Sequence, residues 1–133
     1  MKKLVYASKR RCTDPAKIDR MLEVSRANNG AEGLTGLLLY DDKRFLQLLE
    51  GAHDPIARCF LRIARSPLHS DIEIGVFDDS PVRLFAGWDM RAFDLGAAGP
   101  SLATFWRRVM AAPPAERLGD VERFFLERHA SHR

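Results

Sequence analysis

A chain of 133 residues with 46% hydrophobic composition can bury one core and is too short to hold two ordinary domains. Its formal net charge is +3, with 21 basic residues dispersed among 18 acidic ones and only Lys9-Arg10-Arg11 clustered; that pattern suits a solvated loop better than the broad basic surface nucleic acid requires. No apolar run reaches the length of a signal-peptide core or a membrane span, so a cytoplasmic protein with no nucleic-acid or membrane partner is expected.

Leu4 to Ser8 reads as a first strand. Thr13-Asp14-Pro15 starts a helix, with a capping side chain followed by a proline whose missing N–H does no harm there. Ile18, Met21 and Leu22 give this helix its apolar stripe, and Asn28-Asn29-Gly30 its stop, because Asn and Gly tolerate the left-handed conformation. Leu34 to Tyr40 and Arg44 to Glu50 then form a hairpin around Asp41-Asp42-Lys43. Asp54-Pro55 repeats the helix-start chemistry, Ile56, Cys59, Phe60 and Ile63 follow at helical spacing, and Ser66-Pro67 ends the segment. Asp71 to Phe77 alternates as a fourth strand, and Phe85 to Phe93 is the predicted fifth.

The order βαββαββ implies an α+β, ferredoxin-like mixed sheet whose two early helices share one face, since right-handed crossovers place them there. The other face needs cover. Leu102, Phe105, Trp106, Val109 and Met110 form one amphipathic helix, Pro113-Pro114 breaks it, and Leu118, Val121, Phe124 and Phe125 form another. Residues 1–95 are thus expected to be the sheet domain, and 96–133 a C-terminal helical cap or a surface for a partner.

Cys12 and Cys59 lack CxxC spacing, and none of His53, His69, His129 and His132 joins a second ligand at metal-site spacing, so no metal is expected. Gln47 is more informative. In Phe45-Leu46-Gln47-Leu48-Leu49-Glu50-Gly51 strand alternation places its amide on the face of Phe45 and Leu49, inside an apolar layer, where leaving it unpaired costs roughly 1–3 kcal/mol. Together with Tyr6 and Ser8 in the first strand, the run from Ser25 to Tyr40 and the segment Arg83-Leu84-Phe85-Ala86-Gly87-Trp88-Asp89-Met90, this stretch makes the chain resemble a BLUF domain, the flavin-binding blue-light sensor. The resemblance runs in one register from about Leu4 to Phe93.

That resemblance implies a role for individual residues. Tyr6 is similar to the family's photoactive tyrosine, and Gln47 to the glutamine that bridges tyrosine and flavin. Asn29 corresponds to the asparagine that bonds the C4=O and N3 edge of the ring, and Arg62 to the arginine that reaches C2=O. Asn28 takes the place of a ring-edge or ribityl contact, and Ser8 that of a bond to the Trp88 region. Trp88 and Met90 match the pair whose competing positions in the last strand couple pocket to tail. Each residue also has a plainer structural reading: a strand tyrosine, a core amide, a helix cap, a solvated arginine, core side chains. One departure stands out, because Ser66-Pro67-Leu68-His69 lacks the Asp and Arg that many family members carry before the histidine.

The resemblance implies a photoreceptor rather than an enzyme, holding FAD (or FMN or riboflavin) non-covalently. Light would draw an electron and a proton from Tyr6, and their return would leave Gln47 rotated or tautomerised. The tail has no room for a cyclase or phosphodiesterase, so output is expected to pass to a separate partner protein, from a homo-oligomer. Two rival readings share the fold: a non-photoactive interaction module, and a small acylphosphatase-like hydrolase, for which Lys9-Arg10-Arg11-Cys12-Thr13 lacks the glycines of a phosphate cradle.

Overall fold

The computed structural model describes residues 1–96 and 101–131, with side chains described through residue 128. Five strands and four helices follow in the order β1 (Lys2–Arg10), α1 (Pro15–Glu32), β2 (Thr35–Tyr40), β3 (Arg44–Gly51), α2 (His53–Ala64), β4 (His69–Asp79), β5 (Arg91–Asp94), α3 (Leu102–Ala111) and α4 (Pro114–Ser131). The sheet order is β4-β1-β3-β2-β5. Antiparallel pairing of β1 with β3 and β4, and of β3 with β2, makes this the expected ferredoxin-like sheet, with β5 added in parallel beside β2.

Asp14 caps α1 by accepting from the Ala16 N–H at 3.0 Å, with Pro15 next in the chain. The other end differs from the sequence expectation. α1 runs through Asn28-Asn29-Gly30 and stops at Gly33, whose φ of 70° is the left-handed conformation. The Leu34 N–H then reaches back to the Asn29 carbonyl at 2.9 Å and the Gly33 N–H to that of Gly30 at 3.5 Å, a Schellman closure that needs glycine at position 33. In α2 the N-cap is Ala52, without a side-chain bond, and Asp54 sits within the first turn instead. A hydrogen bond from His53 Nδ1 at 2.8 Å holds the Asp54 carboxyl below the usual carboxylate range.

The fifth strand is also shorter than its apolar pattern suggests. Only Arg91–Asp94 pairs, in register Leu37↔Arg91 to Tyr40↔Asp94, while residues 85–90 form a loop. The loop arises because its backbone donors go elsewhere: the Leu84 and Phe85 N–H groups bond the Glu50 carboxylate at 2.7 and 2.9 Å, and Gly87 turns the chain at φ 83°. The Trp88 carbonyl then accepts from the Gly36 N–H at 3.0 Å.

Strand alternation divides the interior into two cores. Leu4, Leu38, Phe45 and Leu49 pack with Ile18, Leu22, Ile56 and Cys59 under α1 and α2. On the opposite face Val5, Ala7, Leu37, Leu39, Leu46, Leu48 and Val76 pack against α3 and α4, so the tail covers the second face as expected. Phe105 and Phe124 stack at 3.8 Å between ring centroids and join the two tail helices. Asp41 anchors this layer to the β2–β3 turn: Oδ1 accepts from the Lys43 and Arg44 N–H groups, and Oδ2 from the Leu102 N–H at 3.0 Å, at the start of α3. Among the described residues no helix is long and apolar enough to cross a membrane, and no cluster of potential metal ligands forms. His132 and the side chain of His129 lie outside the described residues.

Candidate functional site

A cleft of about 430 Å³ opens between α1 and α2 over the sheet, within the size range of small-molecule sites. Of the residues singled out in the sequence, Tyr6, Asn28, Asn29, Gln47, Arg62 and Met90 line it. Trp88 and Ser8 do not. Trp88 packs with the tail-side core, stacks under the Arg91 guanidinium at 4.6 Å and sits near Phe85 and Phe93. Ser8, expected to bond the Trp88 region, instead has its Oγ 2.7 Å from His69 Nδ1. The reason is sheet order: Ser8 lies on β1, beside the edge strand β4 and two strands away from β2, to which Trp88 bonds, and at the start of β4 His69 is fixed by a bond between Nε2 and the Ile63 carbonyl at 2.7 Å. That carbonyl only accepts, so Nε2 carries the proton and, in the neutral ring, Nδ1 accepts from the Ser8 hydroxyl.

At the cleft floor the Tyr6 hydroxyl donates to Gln47 Oε1. Tyr6 and Gln47 are direct partners across the β1–β3 ladder, which explains why two residues 41 positions apart meet. Burial pushes the Tyr6 phenol well above its ordinary pKa, with a smaller contribution from Cys59, so it stays a neutral donor. The Gln47 Nε2 lies 3.4 Å from Met90 Sδ, a weak acceptor. The amide therefore joins the phenol on β1 to the last residue before β5.

Asn29 is buried, and both ends of its amide already have protein partners. Nδ2 donates to the Asp89 carbonyl at 2.7 Å, and Oδ1 accepts from the Cys59 thiol at 3.6 Å, leaving one Nδ2 hydrogen for a ligand. Burial raises the Cys59 pKa, only partly offset by Arg62, which favours this protonated donor form. Arg26 adds a bond from Nε to the Met90 carbonyl at 3.0 Å, so α1 holds both ends of the Asp89–Met90 peptide segment. Asn28 makes no side-chain hydrogen bond among the described residues.

Arg62 pairs through Nη1 with Glu32 Oε1 at 3.1 Å, while its Nη2 is buried without a hydrogen-bond partner among the described residues. An unmet buried donor costs roughly 1–3 kcal/mol, more when charged. A carbonyl oxygen in the cleft would satisfy it. With an apolar slot from Met21, Leu22, Leu38 and Ile63, the unpaired amide of Asn28 and the orphaned Arg62 nitrogen, the residues present fit a flat heteroaromatic ring with carbonyl groups on one edge.

Sequence reasoning missed Lys17, Arg20, Val24 and Ser25, which line the cleft from α1 together with Met21 and Asn28. Their signal was present: positions 17, 20, 21, 24, 25 and 28 share one helical face. Lys17 and Arg20 make no hydrogen bond or ion pair among the described residues. Cys59 and His69 were likewise set aside as plain residues, and only the fold brings them to the wall.

The family model for BLUF, sensors of blue-light using FAD, matches residues 1–91. The chain belongs to the BLUF family. It is 33% identical over 93 residues to the blue light- and temperature-regulated antirepressor BluF of Escherichia coli K12, a match covering 69% of this chain and 23% of that protein. The chain thus spans about a quarter of the length of that curated relative. The dark-state structure of BlrB, a BLUF protein, superposes with a TM-score of 0.74 at 30% identity and covers 92% of both chains. Klebsiella pneumoniae BlrP1 with FMN and cyclic diGMP matches with a TM-score of 0.66 at 32% identity over 71% of this chain and 26% of that one. BLUF domains bind flavin and act as sensors.

Proposed function

We propose that this BLUF chain is a cytoplasmic blue-light photoreceptor that holds FAD non-covalently in the α1–α2 cleft and signals to a separate protein. The observation that carries this reading is the buried Tyr6–Gln47–Met90 relay at the cleft floor. Asn29, Asn28 and Arg62 would hold the ring edge, the last through its unpaired Nη2. Lys17 and Arg20 at the mouth supply positive charge for a phosphate, which offsets the missing basic residue in Ser66-Pro67-Leu68-His69 and supports FAD or FMN over riboflavin. FAD is the preferred reading from the family description, and FMN is its alternative because a relative was solved with it.

Flavin, when bound, supplies blue absorption and an excited-state acceptor for the electron and proton of a nearby phenol. The chain supplies the donor and the switch. Tyr6 is held neutral and its proton lies on the bond to Gln47 Oε1. Rotating or tautomerising the Gln47 amide exchanges donor and acceptor ends, which rewires Tyr6 and Met90 together without moving a strand. A signal then requires that the tail or a partner bind the two arrangements unequally. Any catalytic output belongs to that partner, and assembly as a homo-oligomer is part of the same reading.

Purified protein is expected to be yellow, to release flavin on denaturation, and to show a small, reversible red shift under blue light. Tyr6→Phe and Gln47→Leu should keep flavin and lose that shift, because each retains volume and removes one half of the switch. Colourless protein that also refuses added FAD and FMN, or a normal shift in either variant, would overturn the reading.

A further inference from the structure

Lys3 is fully buried in β1, with Nζ 3.0 Å from Glu50 Oε2 on β3 and 2.9 Å from Glu122 Oε2 on α4. Such a cluster adds little stability over apolar side chains of the same volume, because desolvation offsets the attraction. What it does provide is direction. Every oxygen of Glu50 is committed: Oε1 accepts from the Thr35 hydroxyl at 3.0 Å and the Phe85 N–H at 2.9 Å, and Oε2 from the Leu84 N–H at 2.7 Å and from Lys3. Thr35 also accepts from Arg83 Nη1 at 2.7 Å, closing the cluster over the start of the 84–90 loop.

The far end of that loop is the Gln47 contact. Met90 Sδ meets Gln47 Nε2, the Asp89 carbonyl is held by Asn29, and the Trp88 N–H returns to the Phe85 carbonyl at 3.1 Å. One short segment is thus fastened to the candidate switch at residue 90 and to a buried carboxylate at residues 84 and 85. That carboxylate is tied through one ammonium to the tail helix. Phe85 also approaches Phe125 of α4 at 6.3 Å, but a ring contact tolerates sliding, whereas a charged hydrogen bond in a dry site loses much of its strength when its partner moves.

We propose that Lys3, Glu50 and Glu122 are the positioning residues through which a rearrangement at Gln47 reaches α4, with Glu122 as the contact on the tail. This inference rests on the photoreceptor reading. The 84–90 loop is the element with two arrangements. When Met90 follows the Gln47 amide, the Leu84 and Phe85 amides pull on Glu50, Lys3 shifts with it, and α4 is held by Glu122 in one state and loosened in the other.

The test is amide hydrogen exchange of α4 in darkness and under continuous blue light, with visible absorption recorded on the same samples. Wild type is expected to show the red shift and a light-dependent change of about fivefold or more in α4 exchange, the lower end of typical coupling between sites. Glu122→Leu should keep the red shift and lose the light-minus-dark difference in α4. Arg117→Met serves as the control: Arg117 ties α4 to the Gly75 and Met110 carbonyls but not to the loop, so its loss should speed exchange equally in dark and light and preserve the difference. Should Glu122→Leu not fold, Glu122→Gln keeps the shape without the charge and is expected to diminish the difference. An undiminished difference in either Glu122 variant overturns the proposal. So does a difference lost as fully in Arg117→Met. A red shift in wild type without any change in α4 fails this inference alone, while no red shift at all fails the photoreceptor reading and the inference with it.

Discussion

Gln47 was legible on its own because an amide in an apolar strand is costly without a partner, whereas its pairing with Tyr6 came from the family resemblance and the β1–β3 ladder supplies its physical reason. Lys3 and Glu50 were not legible. In an alternating strand a charged residue reads as a solvated position, and only the arrival of α4 from 119 residues away buries it. Burial of Tyr6 has a consequence for pH. The folded phenol ionises only above its ordinary value of 10.0, so past that pH the unfolded chain loses a proton that the folded chain keeps. The folded state then binds more protons than the unfolded one, and stability falls as pH rises from about 10 until the folded phenol ionises. Below that value the phenol is neutral in both states and contributes no slope. Comparing wild type with Tyr6→Phe cancels the parallel contributions of Cys59 and Tyr40. Between pH 10 and 11 wild type should lose up to about 1.4 kcal/mol more per pH unit than the variant in denaturant unfolding. Equal slopes would show that the phenol is solvated.

At the scale of elements, the sequence placed every helix and the first four strands, because each carries its own apolar period, although α2 begins at His53 rather than at the expected Asp54-Pro55 start. It erred where tertiary partners decide. Asn28-Asn29-Gly30 looks like a stop, yet Asn29 is held inside α1 by Asp89 and Cys59, and the closure falls to Gly33. The pattern of residues 85–93 looks like one strand, yet Glu50 takes its first two amides. Gly33 should therefore be sensitive to substitution although a Cβ there would touch nothing within 4 Å. The left-handed conformation costs an L side chain roughly 1–2 kcal/mol. Gly33→Ala should lower the unfolding free energy by that amount, seen as a lower urea midpoint at unchanged slope, and Gly33→Asn by less, because Asn tolerates φ near 70°. No loss in Gly33→Ala would mean that the helix ends at Asn29 after all.

For the molecule as a whole, the division of the sheet into a cleft face and a tail face followed from the crossover rule, which puts both early helices on one face, and from the amphipathic tail, which is left to cover the other. What these rules could not supply is how the tail is held. Several attachments fix it, among them the Phe105–Phe124 stack against the second core, the Asp41 carboxylate at the start of α3, and the Lys3–Glu122 pair and the Arg117–Gly75 bond on α4. A further fit is steric, for a Cβ at Gly75 would overlap the Trp106 indole, whose Nε1–H donates to Glu73 Oε1 at 2.5 Å. Removing residues from Leu102 onward would strip all of these at once. Val5, Leu37, Leu39, Leu46, Leu48 and Val76 would face water as one contiguous apolar surface, and the Lys3 ammonium would lose its tail partner. The truncated chain is expected to aggregate or to form a new oligomer in size-exclusion chromatography. The cleft face, with its own α1–α2 core, should still bind flavin in whatever fraction stays in solution. An unchanged elution volume together with unchanged thermal stability would mean that the tail does not bury this face in solution. The coupling assigned to Glu122 would then lose its physical basis.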